Sequence, residues 1–189
     1  FVIYLMKHIL TIDLDWATTP EKQLEIISLI TKYFLTKVPV YFIKHHHQAF
    51  ELIDEGATIY NIDHHHDLFY DRKHYNEAIE GVINEANWIF GAIMQKNVKD
   101  YVWVKNYNSI FEQTIIENYV RYMNTFKVLN NLHELRMPQT DKLIICESNC
   151  YLGATSWLYE LLKNLAKDLK KEITQMELQN ELGYIYTKK

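Results

Sequence analysis

The strongest constraint on this chain is alternation: short β-rich apolar runs, several ending in acids or histidines, are separated by stretches with helical spacing. KHILTIDLD (7–15), VPVYFIK (38–44), ATIYNID (57–63), DYVWVKN (100–106) and DKLIICES (141–148) read as strands, because β-branched and aromatic residues dominate runs of strand length. Residues 19–36 open with a Thr cap and Pro20 in the first turn, then repeat Leu24, Ile27, Ile30 and Phe34 at helical spacing. Residues 47–56 read as a short helix closed by Gly56, 75–94 as a longer one, and about 155–171 as the last. Segment 107–140 carries mixed helix and strand signals. Strands joined by crossover helices imply an α/β fold: a three-layer α/β/α sandwich with a mostly parallel sheet. With five glycines, three prolines and no linker, repeat or low-complexity tract, the 189 residues read as one domain.

Composition removes several function classes. Hydrophobic residues make up 48%, so the chain is not of disordered type. No apolar run nears the roughly 20 residues that span a bilayer. A net charge of −4 without a basic tract gives no nucleic-acid signature, and the Lys-rich stretch 163–172 reads as the solvated face of a helix. Cys146 and Cys150 are too few for a disulfide framework and fit a reducing compartment. Spaced C-x3-C with no second pair, they read as buried thiols rather than metal ligands. Met6-Lys7 looks like a natural start, which makes residues 1–5 an upstream extension too short for a secretory signal. The expectation is a cytoplasmic protein acting on a small molecule, with neither a membrane nor a nucleic acid as partner.

In a parallel sheet, ligands bind beyond the carboxyl ends of the strands. Asp13 and Asp15, Lys44 to His47, Asp63 to Asp67, and Glu147 all fall at such ends. In extended backbone Asp63, His65 and Asp67 would point to one side, as would Asp13 and Asp15. Taken alone, the histidine triplet 64–66 reads as a solvated strand end, and Asp15 as a cap. Four carboxylates converging with two or more imidazoles would instead repel one another strongly without cations. The donor set favours Mn²⁺ or another first-row divalent ion over thiolate-bound zinc. It has room for two ions roughly 3.5–4 Å apart.

DHHHD (63–67) resembles the D-x-H-x-D metal motif of the arginase/agmatinase ureohydrolases, and DLD (13–15) resembles their D-x-D motif. IKHHHQAF (43–50) is similar to the segment that carries the family's isolated metal-binding histidine. The similarity is closer to small arginase-like proteins of the UPF0489 group and related phage and bacterial sequences. Their pattern DLDYW, HH, NIDYHSD, GNW is paralleled here by DLDW (13–16), HHH (45–47), NIDHHHD (61–67) and ANW (86–88). The resemblance spans roughly residues 7–105. It implies an arginase-like fold in permuted order, since D-x-D precedes D-x-H-x-D in this chain.

Carried over residue by residue, the resemblance implies six metal ligands, Asp13, Asp15, His46, Asp63, His65 and Asp67. His46 is chosen over its competitors His45 and His47 for its place before the following helix. These ligands would hold two divalent ions, Mn²⁺ first, with Zn²⁺, Fe²⁺ or Co²⁺ as alternatives. The implied activity is hydrolysis of a C–N bond, with a metal-bridging hydroxide attacking a guanidino or amide carbon. Glu147, His47 or His66 would carry the leaving-group proton, and Asn87 and Trp88 would line the substrate pocket. The family's glycine-rich segment and substrate loops have no counterpart, so the metal centre is better founded than the guanidino substrate. Two other readings stand beside this one. IDHH after a strand, with an early D-x-D, also resembles manganese phosphoesterases of DHH type, acting on a nucleotide or pyrophosphate; Trp16 and Asp67 fit that pattern less well. The third is a non-catalytic, metal-stabilised binding protein.

Overall fold

The computed structural model describes residues 6–110, 124–148 and 155–169, together with two short strands at 173–175 and 184–185. The strands are β1 (His8–Asp13), β2 (Val40–Ile43), β3 (Thr58–Ile62), β4 (Val82–Ile83), β5 (Asp100–Val104), β6 (Thr125–Leu129), β7 (Lys142–Cys146), β8 (Ile173–Gln175) and β9 (Tyr184–Ile185). The helices are α1 (Pro20–Phe34), α2 (Ala49–Leu52), α3 (Arg72–Glu80), α4 (Trp88–Lys96) and α5 (Ser156–Asp168). Seven strands make one sheet in the order β6-β5-β3-β1-β7-β2-β8, and each of its pairings is parallel. β4 and β9 form a separate antiparallel ribbon.

Two apolar layers cover the sheet, which is the expected three-layer α/β/α sandwich. Ile9, Ile59, Tyr101, Trp103 and Ile144 face Phe50 of α2, Ala78 of α3 and Ile89, Ala92 and Ile93 of α4. Leu10, Ile12, Phe42, Ile62 and Ile145 face Ile26, Ile30 and Phe34 of α1 and Leu158, Tyr159 and Leu162 of α5. Adjacent residues such as Ile9 and Leu10 serve opposite layers, as the two-residue strand period requires. Because both faces are covered, the strands are apolar almost throughout. Among the described residues no helix is long and apolar enough to cross a membrane.

Several expected boundaries move for local reasons. α1 starts as read: Thr19 Oγ1 accepts from Lys22 N and Pro20 occupies the first turn. Its inward stripe, however, is Ile26, Ile30 and Phe34, while Leu24 is 67% exposed. The helix expected over 75–94 is two helices. Gly81 takes a left-handed φ of 87° and closes α3, its N–H bonding to Ala78 O, a conformation that a Cβ would penalise. α4 starts afresh at Trp88. There Gly91 lets the helix lie against β4, since a Cβ would stand 2.2 Å from Ile83 Cδ1. The helix expected over 47–56 is a 3-10 turn at His46–Gln48 followed by the single turn α2. In the mixed segment, β6 and a 3-10 turn at Leu132–Glu134 are resolved. Residues 111–123, the expected extension 1–5 and Cys150 lie outside the described residues.

The inward stripe of α1 can be tested by substitution. Ile30→Ala, at a position with no exposed surface, should lower the free energy of unfolding by about 2–5 kcal/mol in urea titrations. Leu24→Ala, in the same helix, should change it by less than about 0.5 kcal/mol.

Candidate metal centre

The parallel register sets the site. Across the sheet Ile12 pairs with Ile62 and Asp13 with Cys146, which in turn pairs with Ile43. Asp63 therefore emerges level with Asp13, and Lys44 and Glu147 one residue further on, along one edge of β3, β1, β7 and β2. The chain turns at once after each strand. Asp13 Oδ1 accepts from Asp15 N at 3.4 Å and starts a 3-10 turn over Leu14–Trp16, which folds Asp15 back to the edge. After β2, Gln48 Oε1 accepts from Lys44 N and His45 N at 3.0 and 3.1 Å, pinning the backbone around His46. After β3, Asp63 Oδ1 accepts from His65 N at 2.9 Å and Asp15 Oδ1 accepts from His64 N at 3.3 Å. Asp67 takes a left-handed φ of 51°. The convergence inferred from extended backbone is thus real, but turns produce it.

All six expected ligands meet. The ligand atoms of Asp13, His46 and Asp63 lie within 4.8 Å of one another, as do those of Asp15, Asp63 and His65. Asp63 belongs to both groups. His46 Nδ1 stands 3.3, 2.9 and 3.0 Å from oxygens of Asp13, Asp63 and Asp67. His65 Nδ1 is 3.2 Å from Asp15 and 3.9 Å from Asp63. The first group is buried throughout, whereas His65 keeps 26% of its side-chain surface exposed. His46, and not His45 or His47, is the histidine at the centre. Its Nε2 is fixed by Thr11 Oγ1 at 2.8 Å, which leaves Nδ1 to face the carboxylates. Despite this closeness, neither His46 Nδ1 nor Asp15 Oδ2 makes a hydrogen bond of good geometry, and both are buried in ion pairs. Three carboxylates within 3.3 Å of one imidazole nitrogen, which has a single proton to share among them, are the donor chemistry that a first-row divalent cation satisfies.

The ionisation pattern follows from the crowding. Burial, reinforced by the charge of Asp15, raises the Asp13 carboxyl to about 7, and burial reinforced by Asp67 does the same for Asp63. Burial disfavours a charged His46, but Asp63, Asp13 and Asp67 outweigh it and raise the imidazole well above its ordinary value. Burial likewise opposes charge on His65, and Asp15 and Asp63 prevail, raising it to about 9. Asp15 resists burial through His65 and the His64 N–H and stays below the usual range. Without a cation, the cluster is balanced by retained protons.

The other expected site residues are placed differently. Glu147 is buried at the same edge. Its Oε1 accepts from Ser156 Oγ at 2.7 Å, and its Oε2 has no hydrogen bond but lies 3.5 Å from Lys44 Nζ. His47 stacks on His45 and turns towards Glu85, 3.9 Å from its Nδ1, and burial lowers its pKa. His66 packs between Tyr70 and Trp103, with Nδ1 accepting from Leu68 N at 3.1 Å, and burial lowers it to about 4. The structure therefore does not bring His66 to the carboxylates. Asn87 and Trp88, expected to line a pocket, expose no surface. Asn87 accepts from Asn84 N and donates to His74 O and Val82 O, bracing the corner between α3 and α4. Trp88 Nε1 donates to Asp67 Oδ2 at 2.6 Å. Cys146 is a buried thiol that burial pushes well above its ordinary pKa, as suits a free cysteine rather than a ligand.

The sequence alone assigns no site role to Thr11, Gln48 or Asn61 and reads Trp103 as a strand core residue. Asn61 Nδ2 donates to Asp63 Oδ2 at 3.2 Å, and Trp103 Nε1 to Asp63 O at 3.0 Å. Thr11 and Asn61 carried a usable signal, each being a polar residue inside an otherwise apolar strand. No protein-family model matches the chain, and no curated protein or solved structure shows significant similarity to it.

Asp13 and Asp63 hold their protons to about pH 7 when folded, against an ordinary value of 3.8. A carboxyl raised by folding stabilises below its unfolded value, and that contribution is lost as pH rises through the folded value. The cation-free site should thus weaken the fold between about pH 4 and 7, the range in which the ionising carboxylates come to favour a cation. The difference in melting temperature between Mn²⁺-loaded and chelator-treated protein should widen from pH 5 to pH 8. Scanning fluorimetry checks this, and a gap independent of pH would contradict it.

Proposed function

We propose that this chain is a hydrolase dependent on two divalent cations, one held by Asp13, His46 and Asp63 with Asp67 beside them, the other by Asp15, Asp63 and His65. The observation that carries this reading is the position of Asp63, common to two donor groups at the carboxyl edge of a parallel sheet. The crowding of three carboxylates within 3.3 Å of His46 Nδ1 supports it. The set is rich in carboxylate, contains two imidazoles and excludes the nearby thiol. That combination suits Mn²⁺ best, with Zn²⁺, Fe²⁺ and Co²⁺ as alternatives. When bound there, such ions supply charge neutralisation, Lewis acidity and a water acidic enough to ionise near neutral pH.

The chain's own residues divide the remaining work. Asp63 sets the spacing of the two sites. His65 is the only one of the six that is not buried, so a substrate approaches on its side. Glu147, whose Oε2 makes no hydrogen bond and lies 3.5 Å from Lys44 Nζ, is the group we assign to the proton of a leaving amine. His47 stands one residue from a ligand and is kept neutral by burial, which leaves it as the alternative carrier. A guanidino or amide carbon as target rests on the resemblance of DHHHD and DLD to the ureohydrolase motifs.

Elemental analysis of protein purified without chelator should find about two first-row ions per chain. It should find none in Asp63→Ala and one in Asp15→Ala. A native protein free of metal, whose stability ignores both Mn²⁺ and chelator, would remove this reading. Urea or amine release from a guanidino and amide panel tests the reaction class. Phosphate release from dinucleotides would instead move it to the phosphoesterases, and bound metal with a silent panel to a binding protein.

A further inference from the structure

The ANW segment does its work beneath the metal centre. The Trp88 indole is fully buried, and its N–H donates to Asp67 Oδ2 at 2.6 Å. That same oxygen lies 3.0 Å from His46 Nδ1. The indole ring also packs on the His46 imidazole, with centroids 4.8 Å apart. One residue on, Ile89 N donates to Asp67 O at 3.1 Å, which holds Asp67 in its left-handed conformation. Asn87, one residue earlier, secures this start of α4 through three hydrogen bonds of its own. The first turn of α4 therefore grips Asp67 by both backbone and side chain.

From this geometry we infer that Trp88 is a positioning residue of the metal centre, orienting the Asp67 carboxylate towards the cation site of Asp13, His46 and Asp63. An indole N–H can only donate and does not ionise, so it engages Asp67 purely as an acceptor. A carboxylate has about four acceptor positions, so the others stay available to a cation. Partners of this kind behind a ligand commonly change metal affinity by about 10- to 100-fold. The inference rests on the metal reading above.

The test replaces the Trp88 indole by 3-benzothienylalanine, which keeps the shape of the ring and lacks the N–H, alongside Trp88→Phe. Mn²⁺ binding is titrated calorimetrically, with Asp67→Ala as the comparison. The expected result is about a 10- to 100-fold weaker affinity at one site, the same one that Asp67→Ala weakens, with less than about a threefold change at the other. A role in packing alone would leave the isosteric variant unchanged or weaken both sites together, and either result overturns the inference. If the wild-type protein binds no Mn²⁺, the metal reading itself falls and this inference with it. If it binds Mn²⁺ and the isosteric variant binds equally well, only the assignment of Trp88 falls.

Discussion

Four carboxylates, those of Asp13, Asp15, Asp63 and Asp67, share a buried edge of the sheet with His46 and His65, and this concentration of charge governs what surrounds it. With donor atoms of Asp63 within 4.8 Å of those of both Asp13 and Asp15 in a poorly solvated setting, such groups cannot all ionise without compensating positive charge. Protonated imidazoles and retained carboxyl protons can supply that charge, and so can cations. Asp63 feels the conflict most, because it belongs to both groups of donors and is fully buried. A structural site would need no arrangement of this kind, since well-packed apolar residues would serve stability as well or better. The metal-dependent reaction proposed for this chain would give the arrangement a use.

The sheet imposes the proximity. Three neighbouring strands, β3, β1 and β7, lie in register, and the next strand, β2, continues the same edge. Parallel strands present all their carboxyl ends together, so four segments distant in sequence deliver polar residues to one place. The precision comes from neutral partners: Thr11 on His46, Asn61 and Trp103 on Asp63, Trp88 on Asp67, and Gln48 on the backbone before His46. None of them adds charge to a site that already has too much. Each removes rotational freedom from a candidate ligand or its chain, the kind of preorganisation that metal sites use.

Much of this was legible before the structure. Strand alternation led to the sandwich, the spacing of DLD and DHHHD pointed to Asp13, Asp15, Asp63, His65 and Asp67, and the ureohydrolase resemblance added His46. The reason first attached to that spacing was incomplete. Asp15 sits in a 3-10 turn and Asp67 at positive φ, so two-residue periodicity does not apply beyond Asp13 and Ile62. The same limit explains His66. In a turn, adjacent side chains are aimed by tertiary contacts, and Tyr70 and Trp103 take this ring. The break between α3 and α4 had a local cue in Gly81, but the apolar run around it imitates one long helix. Asn87 and Trp88 read as pocket-lining residues, whereas both are buried and the partner of Trp88 stands 21 positions away, beyond any local pattern.

What the sequence determined by itself is chemistry and order: apolar strands that must be covered on both faces, and acids and histidines at their ends. These follow from residue type and short-range spacing, because burial and backbone period act over a few residues. Tertiary structure alone decided which of His45, His46 and His47 faces the carboxylates, that Asp63 is shared by two groups, and that the Trp88 indole bonds Asp67 from below. Those outcomes depend on strand register and on turns packed against distant helices, and distances of 3 Å between residues 20 to 50 positions apart are set only when the whole sheet has formed.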